Sequence, residues 1–165
     1  MLEQSVSELY RILIDGQKYE VARHFATKHG LNKDEVLKSQ WLHSTYGKEA
    51  VDFLSSIEDR SWVLSECVDK IGSTVDSVQA LLLYGLSETE DYRFIEIQNA
   101  DYDQVWQFRL RRLQLLQYSD RLETFLGVNM GRFSSQEYAI FREQHLDEIA
   151  INLAESRQSR HLHFL

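Results

Sequence analysis

Ser65, Glu66 and Cys67 stand side by side, and a thiol beside a carboxylate is one starting point for nucleophilic catalysis. That chemistry also needs a histidine base at a suitable spacing, or a nucleophile raised on a glycine elbow, and neither accompanies Cys67. Leu64, Val68 and Ile71 flank the cysteine at helical spacing, so it reads as a small buried hydrophobe. His24 and His29 are five residues apart and fall on different faces of a helix, which does not suit a shared zinc ion. His161 and His163 have no cysteine or carboxylate beside them to complete a metal site. With no glycine-rich phosphate loop and no paired catalytic carboxylates, the expectation is a protein without enzymatic activity, cofactor or metal.

The residues suited to recognition are more numerous. Arg109, Arg111 and Arg112 form the one dense basic cluster, and all six lysines fall at or before Lys70. Arginine stems also cover apolar surface, so ion-paired or solvated helix positions are the plain reading and contact with an acidic partner the sharper one. Glu58, Asp59, Glu66 and Asp69 line the edge of a central helical hairpin. Trp41, Trp62 and Trp106 each occupy an apolar helical position and read as core, with Trp62, in the first turn of its helix, the most open to another role. Candidate partner contacts are therefore Trp62, Glu66, Asp69, Arg109, Arg111 and Arg112.

What must position these residues is a succession of amphipathic helices. The stretch Asp34 to Ile71 carries three apolar stripes at helical spacing: Val36, Leu37 and Trp41; Ala50, Val51, Phe53, Leu54 and Ile57; Leu64, Cys67, Val68 and Ile71. Before it, helices are expected over Val6 to Ile14 and Tyr19 to His29, the latter closed by Gly30. Asn32 with Glu35 suggests a capping box for the helix carrying Trp41, and a fourth helix is expected over Lys48 to Ile57. Asp59 or Ser61 can cap a fifth that ends at Gly72, and Ser73 with Asp76 opens a sixth ending at Gly85. Residues 86–103 read as a loop with a short helical turn.

Gln104 to Leu126 is expected to be the longest helix. Its apolar residues, among them Trp106, Leu110, Leu113 and Leu116, spread around the circumference and imply burial on several sides in the interior of the stack. Ser134 and Glu137 suggest a capping box for a further helix, and a last one is expected from Leu146 to Ser156, with 157–165 a frayed tail. The fold class is all-α: an irregular α-solenoid of stacked antiparallel helix pairs, read as a single helical-repeat domain over 1–165.

Composition agrees. Hydrophobic residues make up 43% of the 165, enough for a core, and the absence of proline removes the commonest helix breaker. A net charge of −8 argues against binding a phosphate backbone, so no direct nucleic-acid partner is expected. One cysteine forms no internal disulfide, which fits a reducing compartment. No run of about 18 apolar residues is present, so membrane contact is expected only through partners.

Several segments together resemble the helical secretory domain of the neuroblastoma-amplified sequence protein family. They are KSQW at Lys38 to Trp41, FLSSIEDRSWVLSECVDKI at Phe53 to Ile71, LLLYGLSETE at Leu81 to Glu90 and LLQYSDRLETFLGVNMGRF at Leu115 to Phe133, with FREQ at Phe141 to Gln144 a weaker match. The resemblance implies a non-catalytic α-solenoid subunit of the Dsl/NRZ tethering complex, peripheral on the cytoplasmic face of the endoplasmic reticulum. Such a subunit acts in Golgi-to-ER retrograde transport and contacts other tether subunits, ER SNARE proteins and, indirectly, the COPI coat. The chain is much shorter than animal and plant members and looks like an excerpt or truncated member of the plant kind. Two alternatives are a checkpoint scaffold resembling the kinetochore protein Rod and an RNA-associated adaptor working through the arginine cluster.

Overall fold

The computed structural model describes residues 2–93, 102–144, 151 and 154–155. The chain divides into two compact units, residues 1–116 and 117–165. Among the described residues the elements are helices α1 (Leu2–Asp15), α2 (Tyr19–His29), α3 (Asp34–Leu42), α4 (Val51–Leu54), α5 (Arg60–Asp69) and α6 (Val75–Glu88), a 3₁₀ turn (Glu90–Arg93), α7 (Tyr102–Val128) and α8 (Ser135–Phe141). The all-α expectation holds, with no strand among them.

In the first unit, α1 packs on α2, α2 on α3, and α5 on α6. The reason lies in the stripes. Tyr10 and Ile14 of α1 meet Ala22 and Ala26 of α2 and Val36 of α3 in one buried cluster, with Phe25 and Leu31 packed on its edge. The two alanines let the backbones approach closely, and the Tyr10 hydroxyl donates to the Asn32 carbonyl across the cluster. Gly30 closes α2 in the left-handed conformation (φ 66°), as its position predicts.

Beyond α2 the ends of the helices depart from the expected signals. Asn32 accepts the Asp34 N–H through its side chain, but the expected box with Glu35 is replaced by a different arrangement. Asp34 turns its buried carboxylate across the fold and accepts the backbone N–H groups of Glu58 and Asp59, each at 3.0 Å. This pins the link before α5 onto the start of α3. The fourth helix shrinks to the four residues Val51–Leu54, flanked by turns in place of a full helix over Lys48 to Ile57. Helix α5 starts on Asp59, whose side chain accepts the Trp62 N–H, and runs out into extended chain at Lys70, before Gly72. Thr74 and Ser77 form a reciprocal capping box for α6, one residue after the expected Ser73.

Helix α6 passes straight through Gly85. A Cβ there would stand 2.7 Å from Leu115 Cδ1 and 3.1 Å from Cys67 Cβ, so the glycine is where α5, α6 and α7 crowd together. Close packing, not helix termination, is its role.

The second unit contains the end of α7 and α8. Phe125 meets Phe133, Tyr138 and Phe141 edge-on, with ring centroids 5.4 to 6.1 Å apart. The fully buried Tyr138 donates to the Tyr118 carbonyl (2.8 Å), and the Tyr118 hydroxyl donates to Glu143 (2.6 Å) beneath the Arg142 guanidinium. Ser134 caps α8 by accepting the Glu137 N–H. The expected last helix and frayed tail lie almost wholly outside the described residues.

Helix α7 requires the main correction. Its buried side holds Val105, Phe108 and Leu115, but Trp106, Leu110, Leu113 and Leu116 are 48%, 47%, 62% and 41% exposed. It is covered on one side and open on the other, so the expected interior placement fails within this chain. Trp41, in contrast, is fully buried as expected, against Tyr46 at 5.1 Å. Trp41→Ala should therefore destabilise the chain by about 3 to 5 kcal/mol, and Leu116→Ala by no more than about 1 kcal/mol, in urea denaturation followed by circular dichroism. Equal losses for the two would contradict this packing.

Candidate binding surface

The described residues that come together as an accessible concavity lie where α5 and α7 face each other in the first unit. Asp59, Ser61, Trp62, Leu64, Ser65, Gln107, Phe108 and Arg111 line a groove of about 260 Å³. Two of the six expected contact residues, Trp62 and Arg111, are therefore neighbours in space although 49 positions apart in sequence. Trp62 is held half-buried by its place in the first turn of α5, where the Lys38 ammonium sits 5.2 Å from its ring centroid. The same Lys38 binds Asp59 at 2.9 Å. The hydrogen bond from Lys38, followed by that from the Trp62 N–H, holds the Asp59 carboxyl below the usual carboxylate range.

The three arginines separate by function. Arg112 donates to the Leu86 carbonyl (2.7 Å), to Thr89 Oγ1 (3.1 Å) and to Glu90 (3.1 Å), which ties the end of α6 and the 3₁₀ turn to α7. Arg109 donates to the Tyr92 carbonyl (2.8 Å) in the same clamp, and Tyr92 packs edge-on against Phe108. Among the described residues, Arg111 donates to the neutral amide oxygen of Gln114, at 3.3 Å. It brings a positive charge to the groove, and no ion pair to it is formed among the described residues.

Glu66 was expected at the surface and is instead buried (7% exposed), because α5 packs nearly all round: Val63, Leu64, Cys67 and Val68 are also buried. A carboxylate so enclosed is not available to a partner, so Glu66 leaves the set of candidate contacts. Burial is the main cause that pushes its pKa up; Asp69 adds to this, while Lys70 and the nearby Trp41 indole N–H oppose it. That indole is close enough to favour the charged form, yet neither Trp41 Nε1 nor Glu66 Oε1 attains a hydrogen bond with any group. Asp69, one turn-step away, is exposed.

Cys67 is buried beside Gly85, and burial pushes its thiol up to about 12. At neutral pH it is a thiol in a core and not a thiolate nucleophile. His29 of α2 packs against Phe25 at 4.4 Å, while His161 and His163 lie outside the described residues. Among the described residues no three His, Cys, Asp or Glu side chains gather as metal ligands, and no helix is long and apolar enough to cross a membrane.

Sequence reasoning missed Asp34, whose cross-fold role has no local signal beyond an acidic residue in a first turn. It also missed Phe108 and Gln107 as groove walls, since only tertiary packing brings them opposite Trp62.

A family model described as the KNTC1 first ARM-repeats domain matches residues 12–161. The chain belongs to this family. It is 48% identical over 155 residues to MAG2-interacting protein 2 of Arabidopsis thaliana, an alignment that covers 93% of this chain and 6% of that protein. It is also 39% identical over 84 residues to the human NBAS subunit of NRZ tethering complex, covering 50% of this chain and 4% of that protein. The chain thus spans a small fraction of the length of these relatives. No solved structure matches it.

The enclosed carboxyl of Glu66 yields a prediction with a definite sign. Because its folded pKa is raised, it costs nothing in stability below its ordinary value of 4.5, and the cost grows as pH rises through the folded pKa. Glu66→Gln should therefore melt at a higher temperature than the parent at pH 7, with the two curves converging by about pH 4. Calorimetry at a series of pH values checks this, and a variant less stable than the parent at pH 7 would contradict it.

Proposed function

We propose that this chain is a non-catalytic scaffold segment of an ER-associated vesicle-tethering complex that acts in Golgi-to-ER retrograde transport. In this reading it presents surfaces to other tether subunits and to ER SNARE proteins, on the cytoplasmic face of the endoplasmic reticulum, and meets the membrane only through those partners. The carrying observation is the 48% identity to MAG2-interacting protein 2 across 93% of the chain, seconded by the human NBAS subunit of NRZ tethering complex. The geometry fits a binding role. The α5/α7 groove offers an aromatic face at Trp62 and a cation at Arg111, a pairing common among the residues that dominate protein interfaces.

Pull-downs from cytosol and ER membranes with the chain should recover tether subunits or SNAREs. Arg111→Glu should lower that recovery by about tenfold through charge reversal in the groove, while leaving the melting temperature close to the parent's. Arg112→Ala, which removes the clamp on Thr89 and Glu90, should instead lower the melting temperature. Recovery indifferent to Arg111→Glu would count against the groove. Enrichment at kinetochores of dividing cells in place of the ER would move the reading to a checkpoint scaffold.

A further inference from the structure

The α5/α7 groove has a charge balance that runs against the rest of the chain. Asp59 and Arg111 are the charged residues among those that line it. The Asp59 carboxylate is already engaged, by Lys38 at 2.9 Å and by the Trp62 N–H at 3.2 Å. Arg111 forms no ion pair among the described residues, whereas Arg109 is held on the Tyr92 carbonyl and Arg112 on Glu90. Lys38, Asp59 and Arg111 together leave one positive charge over at the groove, on a chain whose net charge is −8.

The rest of the lining mixes apolar and hydroxyl groups. Leu64 and Phe108 are buried where they meet the groove, and Trp62 is half-buried. Ser61 is exposed, and Ser65 donates to its carbonyl at 3.0 Å. At about 260 Å³ the space falls just below the range of about 300 to 1,000 Å³ that holds a drug-sized ligand, which suits a few side chains of a peptide. A guanidinium pairs in bidentate fashion with a carboxylate or a phosphate. A phosphoryl group carries close to two negative charges, and a single excess cation matches a carboxylate better.

We propose that the α5/α7 groove binds an acidic peptide segment. A glutamate or aspartate carboxylate of that segment pairs with Arg111, and apolar side chains beside it lie against Trp62, Leu64 and Phe108. This rests on the groove being the partner-binding surface of the proposed function, and adds the chemistry of what it grips.

The test selects phage-displayed random twelve-residue peptides on the immobilised 165-residue chain and on its Arg111→Gln and Arg111→Lys variants. The parent should enrich glutamate and aspartate beside apolar residues by about threefold over the input. The best synthetic peptide should bind the parent about tenfold more tightly than its counterpart with glutamine and asparagine in place of the acids. Arg111→Gln should lose about that tenfold, and Arg111→Lys, which keeps the charge but not the planar fork, should fall between. In proton–nitrogen NMR spectra the peptide should shift the indole signal of Trp62 and leave those of Trp41 and Trp106 in place. Selection without acidic enrichment, equal affinity for the amide counterpart, parental affinity in Arg111→Gln or an unmoved Trp62 signal would each overturn the proposal. So would tighter binding when phosphoserine replaces the glutamates. No tether subunit enters these measurements. Acidic peptides selected beside a failed pull-down would support the groove chemistry while the tether reading fell, and a successful pull-down beside failed selection would overturn the chemistry alone.

Discussion

A helix of ten or so residues does not hold its own backbone bonds in water; it persists only while its apolar stripe is covered. Each described α-helix of the first unit buries at least one apolar face, although α1 and α7 leave other apolar residues open, and Trp41, Leu54, Val63 and Leu81, all essentially excluded from water, show where the coverage is complete. The four-residue α4 is the extreme case. Too short to stand alone, it keeps its shape because Val51 and Leu54 are buried against neighbouring helices α3 and α6.

Coverage alone leaves the helices free to slide, and a small number of polar contacts fix their register. Asp34 fastens the start of α3 to the residues ahead of α5. Arg60 does the same between α5 and α6, donating to the carbonyls of Leu54 and Ile57 and to the Tyr84 hydroxyl, with Glu88 at 2.6 Å. Arg112 ties α6 and the 3₁₀ turn to α7. Each of these three side chains uses its charge on groups belonging to a different element, and so helps to hold the fold. The groove remains as a place where a cation, Arg111, lines the wall with a neutral partner, Gln114, among the described residues.

Helix identity was legible in the amino-acid pattern because burial period and local caps agree: Tyr19–His29 with Gly30, and Ser134 with α8, are written in adjacent residues. Helix ends were less legible where tertiary contacts override local signals. Gly85 has the composition of a stop and the environment of a close crossing, and Lys48 to Ile57 has the pattern of a full helix but only one regular turn. The candidate surface was half legible. Trp62 and Arg111 stand out by residue type, but periodicity does not report which side of an apolar helix has a neighbour. For the same reason Trp106 and Leu116 read as core, and Glu66, a charged residue in a helix of buried ones, read as surface.

Cys67 gives the molecule a built-in reporter. It is the sole cysteine, it lies under α6 at the crossing with α7, and its sulfur is both sheltered and kept protonated. An alkylating reagent can reach it only when α5, α6 and α7 part, so the speed of labelling follows the frequency of that opening and not the chemistry of the thiol itself. The crossing thus carries its own clock, readable without introducing any further cysteine.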